Sequence, residues 1–154
     1  MPTLEARKRM AATHGKLPLD EARAQLRGAG LRCTPARIRV LQHLAASAKP
    51  LSHAEVADAL APDGFDKSTV FRCLAQLSEV ELVSTLDLGD QVRRFEWRES
   101  RDRPRHAHFM CVDCGAVECL DDYVVQVSNR KSGRPLAGHD IMESLFRGHC
   151  RKCK

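Results

Sequence analysis

The sequence lacks any apolar run approaching the roughly 18–20 residues that a membrane-spanning helix needs. It also lacks an apolar stretch behind the early basic residues Arg7, Lys8 and Arg9. No signal peptide is therefore read, and a cytoplasmic location is the expectation. Internal repeats and low-complexity segments are absent. An even set of cysteines is missing too. There are seven, Cys33, Cys73, Cys111, Cys114, Cys119, Cys150 and Cys153. An odd count without a secretion signal argues against a disulfide framework.

The 154 residues suit one domain or two small ones. The formal charge of +5 is compatible with a nucleic-acid partner and equally with an ordinary basic protein.

Residues 1–19 show no periodicity and read as a flexible N-terminal arm. Asp20 can cap a short helix over residues 20–28, which stops near Gly28 or Gly30. Thr34-Pro35 is a clear helix start, followed by Ile38, Leu41, Leu44 and Ala45 at helical spacing and by a stop at Lys49-Pro50. Ser52-His-Ala-Glu55 is a capping box with Val56, Ala59 and Leu60 behind it. Pro62, Asp63 and Gly64 form a turn, and a further helix is expected from about Asp66 to Glu79. Its apolar face is Val70, Cys73, Leu74 and Leu77. Ser68, Thr69, Arg72 and Gln76 lie opposite. The pair fits a helix-turn-helix, and it also fits two helices that merely pack together.

Leu82 to Leu88, Gly89-Asp90 and Gln91 to Trp97 read as a β-hairpin carrying Arg93 and Arg94. Three helices and a hairpin make a winged helix over 20–97. The charged, proline-containing segment 98–105 reads as a linker. Residues 106–154 form a smaller second domain, with short strands over Phe109–Cys111 and Ala116–Leu120, a helix over Asp121 to about Arg130, and an extended stretch from Pro135 to Gly148.

Cys111-Val-Asp-Cys114 and Cys150-Arg-Lys-Cys153 each offer two thiolates, and together they complete a four-cysteine structural zinc site, one ion per chain. Gly115 and Gly148 flank the pairs, where a tight turn brings N–H groups towards sulfur. A redox dithiol is the rival, but it needs only one such pair. A second set is His106-Ala-His108 with Cys119. The i, i+2 spacing puts both imidazoles on one face of a strand. With Glu96 they make an O/N/N/S set able to hold a second divalent ion and join the two domains. The same residues also fit surface histidines, a solvated glutamate and a small core cysteine. An enzyme is not expected. Four thiolates leave no open metal position, and no separate general base or oxyanion motif is present.

This order of motifs resembles the ferric uptake regulator family of bacterial metalloregulators. The resemblance rests on Thr34-Pro35-Ala-Arg37, Ser68-Thr-Val-Phe-Arg72, Phe95-Glu96, His106-x-His108-x-x-Cys111-x-x-Cys114-Gly115, His139 and Gly148-His149-Cys150-x-x-Cys153. It covers about residues 20–154. It implies an α+β homodimer, an N-terminal winged-helix DNA-binding domain followed by a small α/β dimerisation domain stapled by the four-cysteine zinc site. It further implies repression at a palindromic operator on double-stranded DNA, with a divalent metal as corepressor. Lys67, Ser68, Thr69, Phe71, Arg72, Arg93 and Arg94 are then the DNA-binding residues. Glu96, His106 and His108 match sensing-site ligands, and Cys119 falls where that site usually has a carboxylate. His139 matches a ligand of an additional site whose usual partners are replaced by Arg105 and Ala107. Pro50 stands near a usual histidine, and Phe71 where tyrosine is usual. A thiolate beside two imidazoles favours zinc over manganese or ferrous iron, so a zinc-uptake-type regulator is expected. Iron-, manganese- and peroxide-responsive members, and a DNA-binding protein with only the structural zinc, are the alternatives.

Overall fold

The computed structural model describes residues 15–99, 106–139, 141 and 143–154. Most of the expected arm and of the 98–105 linker lies outside these residues, as does Arg105. The chain divides into two compact units, one over His14–Arg103 and the other taking the chain from Pro104 to its end. The secondary structure is α+β.

The first unit opens with α1 (Leu19–Gly28). Its N-cap is Pro18, not Asp20, and no side chain caps it. Asp20 and Glu21 sit inside the first turn instead, where negative charge meets the positive end of the helix dipole. Gly30 adopts a φ of +77°, a left-handed conformation that glycine takes without a Cβ penalty, and Leu31 N–H donates to Leu26 C=O across the helix end. Leu17, expected in the arm, is buried in the core, and Gln42 Nε2 donates to its carbonyl at 2.9 Å.

Helix α2 (Pro35–Ala46) starts where the Thr34-Pro35 signal places it, and Thr34 Oγ1 accepts from Arg37 N–H. A two-residue strand, β1 (Leu51–Ser52), follows. In α3 (His53–Leu60) both halves of the Ser52–Glu55 capping box are formed. A single 3₁₀ turn over Ala61–Asp63 ends at Gly64, with φ +85°. Helix α4 (Lys67–Glu79) is capped by Asp66, whose Oδ1 accepts from Thr69 N–H at 2.6 Å. Its buried residues are Val70, Cys73, Leu74 and Leu77, the face read from the helical period. They meet Val40, Leu41 and Leu44 of α2 and Val56 and Leu60 of α3 in one core.

Strands β2 (Val83–Asp87) and β3 (Arg93–Trp97) form the hairpin. Their register pairs Asp87 with Arg93, so the connection is five residues, longer than a Gly-Asp turn. Gly89 and Gln91 take positive φ, and Asp87 and Asp90 accept from the N–H groups of Gly89 and Val92. Strand β1 adds to β3 through Leu51 and Phe95, giving the order β1-β3-β2. The result is a winged helix.

The second unit contains β4 (Ala107–Cys111), β5 (Val117–Leu120) and β6 (Leu145–Gly148), in the order β5-β4-β6. β5 pairs antiparallel with β4, and β6 pairs parallel with it. The helix expected over Asp121 to Arg130 is absent. Tyr123, Val124, Val125 and Val127 are aromatic or β-branched and lose side-chain freedom in a helix. At Asn129 the chain then turns back. Its Oδ1 accepts from the N–H groups of Lys131 and Ser132, and Gly133 takes a φ of +65°. A bridge between Ser128 and Pro135 and a Leu136 N–H to Val127 C=O bond close this turn.

Candidate metal centre and nucleic-acid interface

The four-cysteine cluster follows from the sheet. Cys111 ends β4, and the parallel register sets it beside Gly148 at the end of β6. Each CxxC therefore begins where its strand stops, and the two loops lie side by side. Gly115 has φ +69°, and its N–H donates to Cys111 C=O at 3.0 Å, closing the first turn. Cys153 N–H to Cys150 C=O, also 3.0 Å, closes the second. Gly148 differs from its expected turn role. A Cβ there would meet the Phe109 ring at 3.3 Å, so glycine permits close packing of β6 on Phe109.

The Sγ atoms of Cys111, Cys114, Cys150 and Cys153 all lie within 4.8 Å of one another. Cys114 and Cys150 sulfurs are 3.8 Å apart. Four thiolates at the usual ~2.3 Å from a tetrahedral zinc are separated by about 3.8 Å. The donor set thus fits zinc. Cys150 N–H donates to Cys111 Sγ at 3.4 Å. The N–H groups of Cys114 and Cys150 pull the Cys111 thiol down to about 6, into the range where it is a thiolate. Hydrogen bonding with the Cys150 and Cys114 sulfurs pushes Cys153 up to about 12. One array cannot hold four negative charges without a cation among them, which is what a dication supplies. All seven cysteines are unbridged.

The second cluster lies on the same sheet. His106 and His108 rings stand 4.6 Å apart, tilted by 51°. His108, 3% exposed, pairs across the ladder with Cys119. The donor atoms of His106, His108 and Cys119 lie within 4.8 Å of one another. An N/N/S set of this size, with His108 buried and His106 and Cys119 half-buried, fits a borderline-soft dication. Glu96 stands on β3 of the first unit, half-buried and in register with Ser84. His139 is exposed, and its Nδ1 lies 3.0 Å from Ala137 C=O. Cys73 is buried on α4, and burial pushes its thiol up, as expected of a packing residue. Cys33 Sγ bonds the Arg23 carbonyl at 3.5 Å.

On the winged helix, Lys67, Ser68, Phe71 and Arg72 are exposed along α4, and Thr69 is half-buried. An open hollow of about 500 Å³ is lined by His53, Lys67, Ser68, Phe71 and Arg72. Phe71 is 56% exposed. His53 meets it edge-on, with ring centroids 5.6 Å apart, and His53 Nε2 lies 2.9 Å from Lys67 C=O. The sequence reading missed His53, although its place at the first residue of α3 brings it to the start of α4. Arg37, from the Thr-Pro helix start, sends two guanidinium bonds of 3.0 and 2.8 Å to Gln76 and ties α2 to α4.

The two wing arginines differ. Arg93 is exposed, whereas Arg94 is held by Asp90 in a two-pronged pair at 2.9 and 2.7 Å. The Arg94 guanidinium holds the Asp90 carboxyl down at about 2. Because this pKa is depressed below its usual 3.8, the stabilisation from the pair is present above about pH 4 and is lost as pH falls towards 2. Asp90→Ala is expected to release Arg94 and raise non-specific DNA affinity. The slope of log K against log salt should steepen by about 0.9, one added phosphate contact. A salt titration checks this, and an unchanged slope would mean that Arg94 does not reach phosphate.

The model of the ferric uptake regulator family matches residues 28–138. The peroxide-responsive repressor PerR of Staphylococcus aureus is 32% identical over 141 residues, covering 88% of this chain and 91% of its own. The ferric uptake regulator Fur of Helicobacter pylori superposes with a TM-score of 0.61 at 21% identity, over 99% of this chain and 94% of its own. A zinc uptake regulator complexed with zinc and DNA superposes with a TM-score of 0.54 at 21% identity, over 88% of this chain and 91% of its own. Those two structures share the fold. No described helix is long and apolar enough to cross a membrane. The sequence match extends over most of the chain, and the chain belongs to the ferric uptake regulator family, whose members are metal-responsive, DNA-binding, dimeric transcription regulators and not enzymes.

Proposed function

We propose that the chain is a zinc-responsive repressor of the cytoplasm that binds a palindromic operator as a homodimer. One observation carries the choice of metal. The second cluster gathers a thiolate, Cys119, with two imidazoles, His106 and His108. A cysteine ligand favours zinc, whereas manganese and ferrous iron prefer harder oxygen-rich sets. Glu96 is the fourth ligand in this reading. Affinity for DNA then depends on metal occupancy through a coupling of typically about 1–3 kcal/mol, or roughly 5- to 150-fold. The Cys111/Cys114/Cys150/Cys153 set holds a separate structural zinc.

At the DNA, Ser68 and Thr69 sit at the N-terminus of α4, where N–H groups and the helix dipole favour phosphate. Arg72 is the base or phosphate contact. Phe71 presents its ring to a thymine methyl. Lys67 and Arg93 add sequence-independent affinity, while Arg94, called with them from the sequence, is held by Asp90. Two recognition helices of a dimer address half-sites about 10–10.5 bp apart or a multiple of that. In the second unit Tyr123, Val124, Val127, Leu136, Ile141 and Phe146 are exposed apolar side chains, and they supply the face for the second copy.

A peroxide-responsive reading is favoured by the Staphylococcus aureus relative. Its chemistry needs bound iron that oxidises a histidine ligand, and Cys119 in the set disfavours iron. Titrating operator binding with Zn²⁺, Mn²⁺ and Fe²⁺ in separate experiments decides between them. The zinc reading expects activation at the lowest free concentration with Zn²⁺. Tighter activation by Fe²⁺, with loss after peroxide, would establish the rival.

A further inference from the structure

The antiparallel register of β4 and β5 pairs Ala107 with Leu120 and His108 with Cys119. Continued by one residue, it sets His106 opposite Asp121. Side chains alternate between faces along a strand, so His106, His108, Cys119 and Asp121 share one face. The side chains confirm the placement. Asp121 Oδ1 lies 3.1 Å from His106 Nδ1, and the two side chains are only 11% and 21% exposed. The next carboxylate, Asp122, is exposed.

We propose that Asp121 is the positioning residue of the second metal site, a role that rests on reading His106, His108 and Cys119 as that site. The two atoms stand at ion-pair distance, and a carboxylate only accepts hydrogen bonds, so in the loaded site Nδ1 of His106 carries the proton and turns it to Asp121. The lone pair then resides on Nε2, which becomes the ligand atom. The same bond fixes the ring's rotation, so the imidazole meets the ion without first being ordered. A negative charge behind the ring also makes Nε2 a stronger donor. Carboxylate partners of this kind behind a ligating histidine contribute about 10- to 100-fold in metal affinity. His106 stands just before β4 begins, where the ladder no longer fixes it.

Co²⁺, a spectroscopic substitute for zinc, tests this in protein that retains its four-cysteine zinc. Affinity is measured by competition with a chelator, and the thiolate-to-cobalt band reports the ligand set. Asp121→Ala is expected to weaken Co²⁺ binding by about 10- to 100-fold while the band at saturation and the tightly held zinc stay unchanged. Asp121→Asn keeps an acceptor oxygen and should recover part of the affinity. Wild-type affinity in Asp121→Ala, with or without lowered thermal stability, would overturn the proposal. A changed coordination spectrum at saturation would overturn it also, since Asp121 would then be a ligand. His108→Ala separates the two levels of the argument. If it too leaves Co²⁺ binding unchanged, the metal site itself is misread. If it abolishes binding and Asp121→Ala does not weaken it, only the positioning role fails.

Discussion

Cys150→Ala is expected to remove the tightly held zinc, one ion per chain, and to unfold the second unit while leaving the winged helix folded. The reason is the distribution of burial. The large apolar core, including Leu26, Leu41, Leu60, Leu74 and Leu77, belongs to the first unit. In the second unit, among the described residues, only Ala107, His108 and Cys111 are buried. With so little apolar burial of its own, this unit depends on the four-thiolate zinc, which clamps the ends of β4 and β6 with an apparent binding energy of about 10–16 kcal/mol. Elemental analysis should show one zinc fewer per chain, and amide exchange should show lost protection in β4 and β6 with α2 and α4 unaffected. Retained zinc, or retained protection in β4 and β6, would show that the cluster is not what holds this unit together.

The second large effect is expected from Cys119→Ala. The structural zinc and the fold remain, but DNA binding no longer responds to metal. The dependence of roughly 5- to 150-fold should fall to none. The residue is half-buried on β5 opposite His108, so a small replacement leaves the ladder intact. Cys119→Asp makes the complementary point. It restores a ligand but replaces sulfur by oxygen, and should shift the activating metal from zinc towards manganese or ferrous iron. Operator binding followed against free metal concentration reads both variants. A Cys119→Ala protein that still responds at the wild-type zinc concentration would remove the thiolate from the sensing site.

Much of this architecture was legible locally, because local chemistry dictates it. Thr34, Ser52 and Asp66 cap their helices through side-chain bonds to nearby N–H groups, so short sequence windows contain the whole cause. The buried face of α4 follows from a period of 3.6. The two CxxC pairs read as a zinc site because no other arrangement of their chemistry is as economical. What was not legible depends on partners distant in sequence. Strand β1 is two residues long and exists only because β3 accepts it. The helix expected after Asp121 is replaced by extended chain and a turn, where β-branched residues and the Asn129–Gly133 turn outweigh the helical reading. Gly148 is glycine because of Phe109, a neighbour only after β6 docks on β4. Asp121 escaped notice for the same reason. It lies 15 positions from His106, and only the register of β4 and β5 brings the two together.

The most direct test of the central claim is metal content per chain before and after mild chelation, with operator binding followed in parallel. The account predicts two zinc ions per chain. One is labile, its removal weakens specific DNA binding by roughly 5- to 150-fold, and its return restores it. A single tightly held zinc, with DNA binding indifferent to chelation and to added metals, would contradict the claim that Glu96, His106, His108 and Cys119 form a regulatory site.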